Sequence, residues 1–342
     1  MNFKSKILAA QWALTIILGS GQTIYSESQM PDPYRAVEFP SEGAILRGRL
    51  YLPKTNHTKP PVVVMAHGYS ATIEGMVADR FAERIAAAGF AVLLYDHRNL
   101  GISGGEPRQQ INVWTQARGY LDAIDYVSTL DEIDPERIAV WGDSMSGGEV
   151  IVVGAVDTRV KAIVAQVPGC GAVPAPEDPD GSLFAKMRDT LFHGDIRATP
   201  ENTRGPIPVV SHSPKLSPAM MQPITAFRWF IEYGGRYGTG WENWVTHVEP
   251  EVPVGFNPGL AAPHLSAALL MIVAFDDEMP YVDSEVARGV FRKAPEPKQL
   301  VEIDGGHFGL LYYPGELFEK ASRAQVQFLE EVFRPIERAS MN

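Results

Sequence analysis

Six stretches of this chain, "PVVVMAH", "FAVLLYD", "RIAVWGD", "VKAIVAQV", "AALLMIVAF" and "KQLVEID", are almost unbroken runs of aliphatic residues. A strand with one wet face alternates apolar and polar side chains; these do not. Each therefore reads as a strand covered on both faces, as in a parallel sheet held between helices. "AILRGRLYLP" does alternate and reads as a half-buried strand. Between the runs lie helical repeats. In "EGMVADRFAERIAAAG" Val77, Phe81 and Ile85 recur at helical spacing before Gly89, and in "TQARGYLDAIDYVSTL" Tyr120, Ile124 and Val127 share a face. Strand and helix alternate, which makes the fold class α/β with a mostly parallel central sheet.

The alternation stops between Gly169 and Pro263. This stretch is rich in proline ("GAVPAPEDPDG", "RGPIPVVSHSP") and then in aromatics ("FRWFIEYGGRYGTGWENW"). A structureless loop of that length does not suit a compact domain. The expected organisation is a core formed by residues 31–168 and 264–335, with 169–263 inserted as a cap or lid.

The 342 residues carry a formal charge of −11, and no Lys/Arg run is present, so a nucleic-acid partner is excluded. A single cysteine, Cys170, permits no internal disulfide and has no metal-type spacing. At the start, Lys4 and Lys6 precede an apolar run, Ile7 to Leu18, followed by Gly19, Ser20 and Gly21. That order is that of a signal peptide, assigned to residues 1–26. The run is shorter than the roughly 20 residues of a membrane span, so no permanent span is expected. Export to the periplasm or the medium follows; translation from Met30 would instead give a cytoplasmic protein. Asn56-His57-Thr58 is an N-glycosylation sequon where the source glycosylates.

"WGDSMSGGE" and "GISGG" compete as the site of a nucleophilic serine. A nucleophile elbow needs a strand, a sharp turn bearing the serine, and a helix close behind. Ser144 follows the strand "RIAVWGD" and precedes the helix-compatible "SGGEVIVVGAV", whereas Ser103 lies among glycines with Pro107 close behind, which is loop context. Ser144 is the expected nucleophile, against the alternative of a simple helix-capping serine. Ser146 stands where the usual motif has glycine, and Gly147 and Gly148 still allow helix and strand to approach.

A serine hydroxyl needs a base, and the base a carboxylate that fixes its tautomer. His307 in "VEIDGGHFG" follows the last buried run on a glycine-rich loop and is the expected base among eight histidines. "LLMIVAFDDEMP" offers Asp277 as the acid, with Asp276 as the alternative; turn capping is the competing role for both. The two backbone N–H donors of an oxyanion hole are expected from Met145, directly after the nucleophile, and from Tyr69 in "HGYS". His67 is expected to brace that loop, and Asp96 and Arg98 to form an ion pair or loop brace.

Together "HGYS", "YDHRNLGISGGEPRQ", "WGDSMSGG", "FDDEMP" and "DGGHF", in this order across Val37 to Phe333, resemble the α/β-hydrolase superfamily. The likeness is to its dienelactone-hydrolase-like and X-Pro-dipeptidyl-peptidase-like branch, where fungal polyketide-processing hydrolases and transferases are relatives. The resemblance implies Ser144, Asp277 and His307 as a triad, Tyr69 and Met145 as oxyanion donors, and "GISGG" as a loop motif. The departures are Ser146 and Ala274 in place of glycines and one residue fewer between Asp277 and Pro280 than is common in the family.

The implied chemistry is acyl transfer through an acyl-enzyme, with hydrolysis of a carboxylic ester or related acyl bond. No H-E-x-x-H spacing, phosphate loop or Rossmann fingerprint is present, and no metal or organic cofactor is expected. The partner is a small molecule. Trp229, Phe230, Tyr233, Tyr237, Trp241 and Trp244 of the insert suggest a largely apolar or aromatic one, unless they form the insert's own core. Acyltransferase, thioesterase and peptidase activities would use the same triad; a non-catalytic ligand-binding protein would have no need of it.

Overall fold

All six aliphatic runs become adjacent strands. The structure is a computed structural model, and it describes residues 34–54 and 59–334. The signal-peptide segment and the sequon at Asn56 lie outside the described residues. In chain order the strands are β1 Arg35–Ser41, β2 Ala44–Tyr51, β3 Val62–Ala66, β4 Ala91–Tyr95, β5 Gln110–Ile111, β6 Ile138–Asp143, β7 Val160–Gln166, β8 Thr203–Ile207, β9 Val245–Val248, β10 Ala268–Ala274 and β11 Lys298–Ile303. The helices are α1 Ala78–Ala87, α2 Val113–Ser128, α3 Ser144–Val156, α4 Ser182–His193, α5 Ile224–Tyr233, α6 Pro258–Ala261, α7 Ser284–Lys293 and α8 Glu316–Phe333.

Eight strands form the main sheet in the order β1-β2-β4-β3-β6-β7-β10-β11. β1 and β2, and β2 and β4, pair antiparallel, and the rest pair parallel. Successive residues of β3 face opposite sides: Val62, Val64 and Ala66 join one apolar cluster, Val63 and Met65 the other. Residues of α2, α3 and α7 pack into the first cluster, and residues of α1 and α8 into the second. Covering both faces is what the aliphatic runs of β3, β4, β6, β7 and β10 require; β11, expected to be buried likewise, is instead an edge strand with Gln299 and Glu302 exposed, because no strand pairs with its outer side.

Local signals set the helix ends. The Asn112 side chain accepts from the N–H groups of Trp114 and Thr115 at the start of α2, and that of Asp283 caps Val286 at the start of α7. Val77, placed by its spacing on the first helix face, lies just outside α1. Its φ of 78° is left-handed backbone that cannot continue a right-handed helix.

Residues 169–263 are not a structureless loop. They hold α4, β8, α5, β9 and α6, and β8 and β9 join β5 in a second, three-stranded sheet. This segment is thus hydrogen-bonded to a strand from outside it. The Arg118 guanidinium of α2 adds bonds to the carbonyls of Thr190, Leu191 and Gly194.

The strand order reverses around β3, whose neighbours are β4 on one side and β6 on the other. In open α/β sheets the crevice beyond the carboxyl ends of strands at such a reversal is where ligands bind. β3 leads into His67 and β6 into Ser144, so "HGYS" and "GDSMSGG" are delivered to that crevice.

Candidate active site

Ser144 is the first residue of α3 and has φ 54°. A non-glycine residue there stores of the order of 1–3 kcal/mol, sustained only where surrounding structure enforces it. Here the enforcement is close packing of backbone on backbone. A Cβ on Gly142 would lie 2.2 Å from the Ser146 carbonyl oxygen, and one on Gly148 2.4 Å from that of Gly169. Gly142→Ala is expected to lower the free energy of unfolding by roughly 3 kcal/mol, at the upper end of overpacking costs. Urea titration checks this; an unchanged midpoint would mean the elbow relaxes freely.

The structure brings three of the five expected site residues into one hydrogen-bonded row. His307 Nε2 is 3.0 Å from Ser144 Oγ, and His307 Nδ1 is 2.8 Å from Asp277 Oδ2. His307 and the Asp277 carboxylate are almost completely buried, while Ser144 remains partly accessible. Asp277 also accepts from the N–H of Met279 through its other oxygen. Asp276, the alternative acid, is exposed, and it is its backbone N–H that bonds, to the Gly305 carbonyl. Tyr69 lines the pocket in front of Ser144, and Met145 follows Ser144 in the first turn of α3. Among the described residues neither backbone N–H donates to a protein acceptor, which leaves both free for a ligand.

His67 does brace the loop before Tyr69. Nδ1 lies 3.0 Å from Asp143 Oδ2 and Nε2 2.5 Å from the Met76 carbonyl, so both ring nitrogens face acceptors. Burial acts to lower the pKa of this ring, but the charge and hydrogen bond of Asp143, with the Met76 carbonyl, outweigh it and hold it above its ordinary value. The Gly68 N–H donates to Asp143 Oδ1 at 2.7 Å. The loop is thereby fastened to Asp143, the residue before Ser144.

Glu278 was not picked out in the sequence. Its carboxylate accepts from the N–H of His307 at 2.9 Å and from the Thr225 hydroxyl of α5. Its only sequence signal is adjacency to Asp277. Ser103 is a loop residue: its hydroxyl bonds the Asp96 carbonyl and accepts from the Arg47 N–H. Asp96 is the loop brace, accepting from the N–H groups of Ile73 and Ile102, with its carboxyl pushed up to about 6 by burial. Arg98 instead bonds Asn99 and the Glu106 carbonyl.

The pocket is lined by His67, Gly68, Tyr69, Met221, Trp229, Phe230, Phe308 and Leu311 around Ser144 and His307. Of the six aromatics expected there, Trp229 and Phe230 reach it; Tyr237 stands fully in solvent, and the Trp244 indole bonds Glu242. A wider hollow of about 430 Å³, lined by Lys59, Phe90, Arg137 and Phe333 among others, sits by the amino ends of β3 and β4 and contains no serine or histidine. No cluster of potential metal ligands occurs among the described residues, and no described helix is long and apolar enough to cross a membrane.

Comparison with known proteins agrees with this architecture. A profile of the X-Pro dipeptidyl-peptidase (S15) family matches residues 42–178. The thiohydrolase apmlB of Arthrinium phaeospermum is 38% identical over 323 residues, covering 87% of this chain and 96% of that protein. The quorum-quenching protein AidA of Acinetobacter baumannii is 28% identical over 307 residues, covering 90% and 98%. Among solved structures, the α/β hydrolase GrgF from Penicillium sp. sh18 superposes with a TM-score of 0.64 at 23% identity, covering 87% of this chain and 98% of that one. With the fold, the profile and a 38% identical relative matched over nearly its whole length in agreement, the chain belongs to the α/β-hydrolase superfamily, as an enzyme of its X-Pro-dipeptidyl-peptidase-like branch.

Proposed function

We propose that this enzyme is a serine hydrolase that cleaves a carboxylic ester or thioester of a small, largely apolar or aromatic substrate through an acyl-enzyme. The observation that carries the reading is the continuous row from Asp277 through His307 to Ser144 Oγ, with both contacts at 2.8–3.0 Å. Asp277 holds His307 in the tautomer whose Nε2 is bare. His307 takes the Ser144 proton as Oγ attacks the acyl carbon, and returns it to the leaving oxygen or sulfur. The N–H groups of Tyr69 and Met145 receive the oxyanion. Water, activated by the same imidazole, then releases the acid. These steps need no cofactor.

Residues 169–263 act in this reading as the cap: Met221, Trp229 and Phe230 form the apolar wall facing Ser144. Thioester cleavage or acyl transfer is favoured over peptide cleavage by relatives named thiohydrolases and an acyltransferase. Export directed by residues 1–26 is part of the same proposal; the mature protein's amino terminus would then lie beyond Ser26.

The test is labelling with a fluorophosphonate followed by peptide mapping. One adduct, on Ser144, is expected; none, or one elsewhere, would sink the reading. An oxygen ester, a thioester and an X-Pro amide sharing one acyl group, assayed with and without an added alcohol or thiol acceptor, then separate the bond types and distinguish hydrolysis from transfer.

A further inference from the structure

Behind the elbow lies a buried polar cluster that the triad does not use. Ser146, the residue in place of the usual glycine, is fully buried, as are Glu149 one turn later in α3 and His97 after β4. Ser146 Oγ has three partners: the His67 carbonyl at 2.9 Å, Glu149 Oε2 at 2.8 Å and His97 Nε2 at 2.9 Å. Glu149 Oε1 and His97 Nδ1 have none among the described residues.

Counting protons decides the states of these groups. A serine hydroxyl donates once and accepts twice. The His67 carbonyl only accepts. Were Glu149 ionised it would also only accept, and one hydroxyl proton would have to serve two oxygens at 2.8 and 2.9 Å in a site closed to bulk solvent. With a proton on Glu149 Oε2 every contact is filled: the acid donates to Ser146, His97 Nε2–H donates to Ser146, and Ser146 donates to the His67 carbonyl. His97 is then neutral with a bare Nδ1, which agrees with the missing partner there. The 3.5 Å approach of His97 to Glu149 is accordingly not an ion pair.

We propose that the folded enzyme carries Glu149 as a neutral carboxylic acid and that, through Ser146, this acid is a positioning residue for the oxyanion loop His67-Gly68-Tyr69. The positioning half rests on the serine-hydrolase reading above. Loss of the proton would turn the Ser146 hydroxyl toward Glu149 and away from the His67 carbonyl, releasing one anchor of the loop that presents the Tyr69 N–H.

The surroundings of the acid agree. Burial pushes the Glu149 carboxyl up to about 8, opposed by its Ser146 hydrogen bond and reinforced by the charge of Asp143, and burial pulls His97 down to about 3. The titratable groups facing Glu149 are Asp143 at the end of β6, Tyr95 of β4, His97 after it and Tyr120 of α2. His67 faces the cluster through its carbonyl. The pKa of its own ring is held above the ordinary value, against burial, by Asp143, with which it pairs.

Two measurements test the proposal. A carbon-13 carboxyl spectrum of the glutamate-labelled wild-type enzyme near pH 6.5 should contain one resonance still in the protonated position. A spectrum with every glutamate ionised there overturns the proposal without any variant or turnover. The second compares E149Q, which keeps a neutral donor, with wild type. Wild-type kcat/KM should fall as pH rises through about 8, with E149Q keeping its plateau about one pH unit further. The folded protein holds on Glu149 a proton that an unfolded chain releases near its ordinary 4.5, so wild-type stability falls between that pH and about 8 and is level beyond. The melting-temperature advantage of E149Q should therefore grow across this window. Coincident alkaline limbs in wild type and E149Q would overturn the positioning role. An enzyme that takes up no fluorophosphonate loses the serine-hydrolase reading and the positioning role together, while the carboxyl spectrum still decides the neutral acid.

Discussion

Ser144→Ala is expected to lower kcat about 10⁶-fold, since removing a nucleophile costs about as much as removing the whole triad. The loss is of chemistry and not of structure. Alanine meets the same left-handed backbone demand at position 144 as serine does, and the Gly169 N–H still bonds the residue's carbonyl at 2.7 Å. The melting temperature should stay within a few degrees of wild type. Fluorophosphonate uptake should vanish, while a residual rate from the proposed N–H donors and binding should stay above that of water. A Ser144→Ala enzyme retaining a tenth of wild-type turnover on its best ester would exclude Ser144 as nucleophile.

Asp277→Asn is expected to cost about 10⁴-fold in kcat, because an amide in place of the carboxylate lets His307 settle in the tautomer with its proton on Nε2, facing Ser144. The neighbouring Asp276→Asn should stay within a few-fold of wild type. The contrast follows from position: Asp277 Oδ2 sits 2.8 Å from His307 Nδ1 in a buried pair, whereas the Asp276 side chain is in solvent. Steady-state kinetics of the two variants at one pH, each with its melting curve, make the comparison. A larger loss in Asp276→Asn would reassign the acid.

The five inner strands were legible because burial on both faces restricts residue type to the aliphatics, a pattern that needs no knowledge of register; β11 was found as a strand, but its exposed edge position was not. Ser144 could be told from Ser103 because an elbow is a strand–turn–helix event that shows in the flanking twenty residues. His307 and Asp277 followed from lying just beyond strands that end on one side of the sheet. What could not be read depends on tertiary placement. β5 is two residues long and exists only because β9 lies beside it. Tyr237 has the same residue type as Tyr233 but is fully exposed, since α5 ends at Tyr233 and Tyr237 lies beyond it. Glu278 and the cluster under the elbow each join residues from three separate segments. Glu149 did leave a trace, as the single charge in a helix otherwise apolar on every side, "SGGEVIVVGAV". A lone acid in that setting, with no basic residue one turn away, points to a partner from another element.

Helix α5 does more than face the pocket. Its Trp229 indole N–H bonds the Leu311 carbonyl, its Tyr233 hydroxyl receives the Tyr313 N–H, and its Thr225 hydroxyl meets the carboxylate that holds the His307 N–H. The apolar wall facing Ser144 and the loop that carries His307 are therefore mounted on a common frame. A substitution that shifts α5 is therefore expected to disturb the pocket wall and the setting of the His307 backbone together.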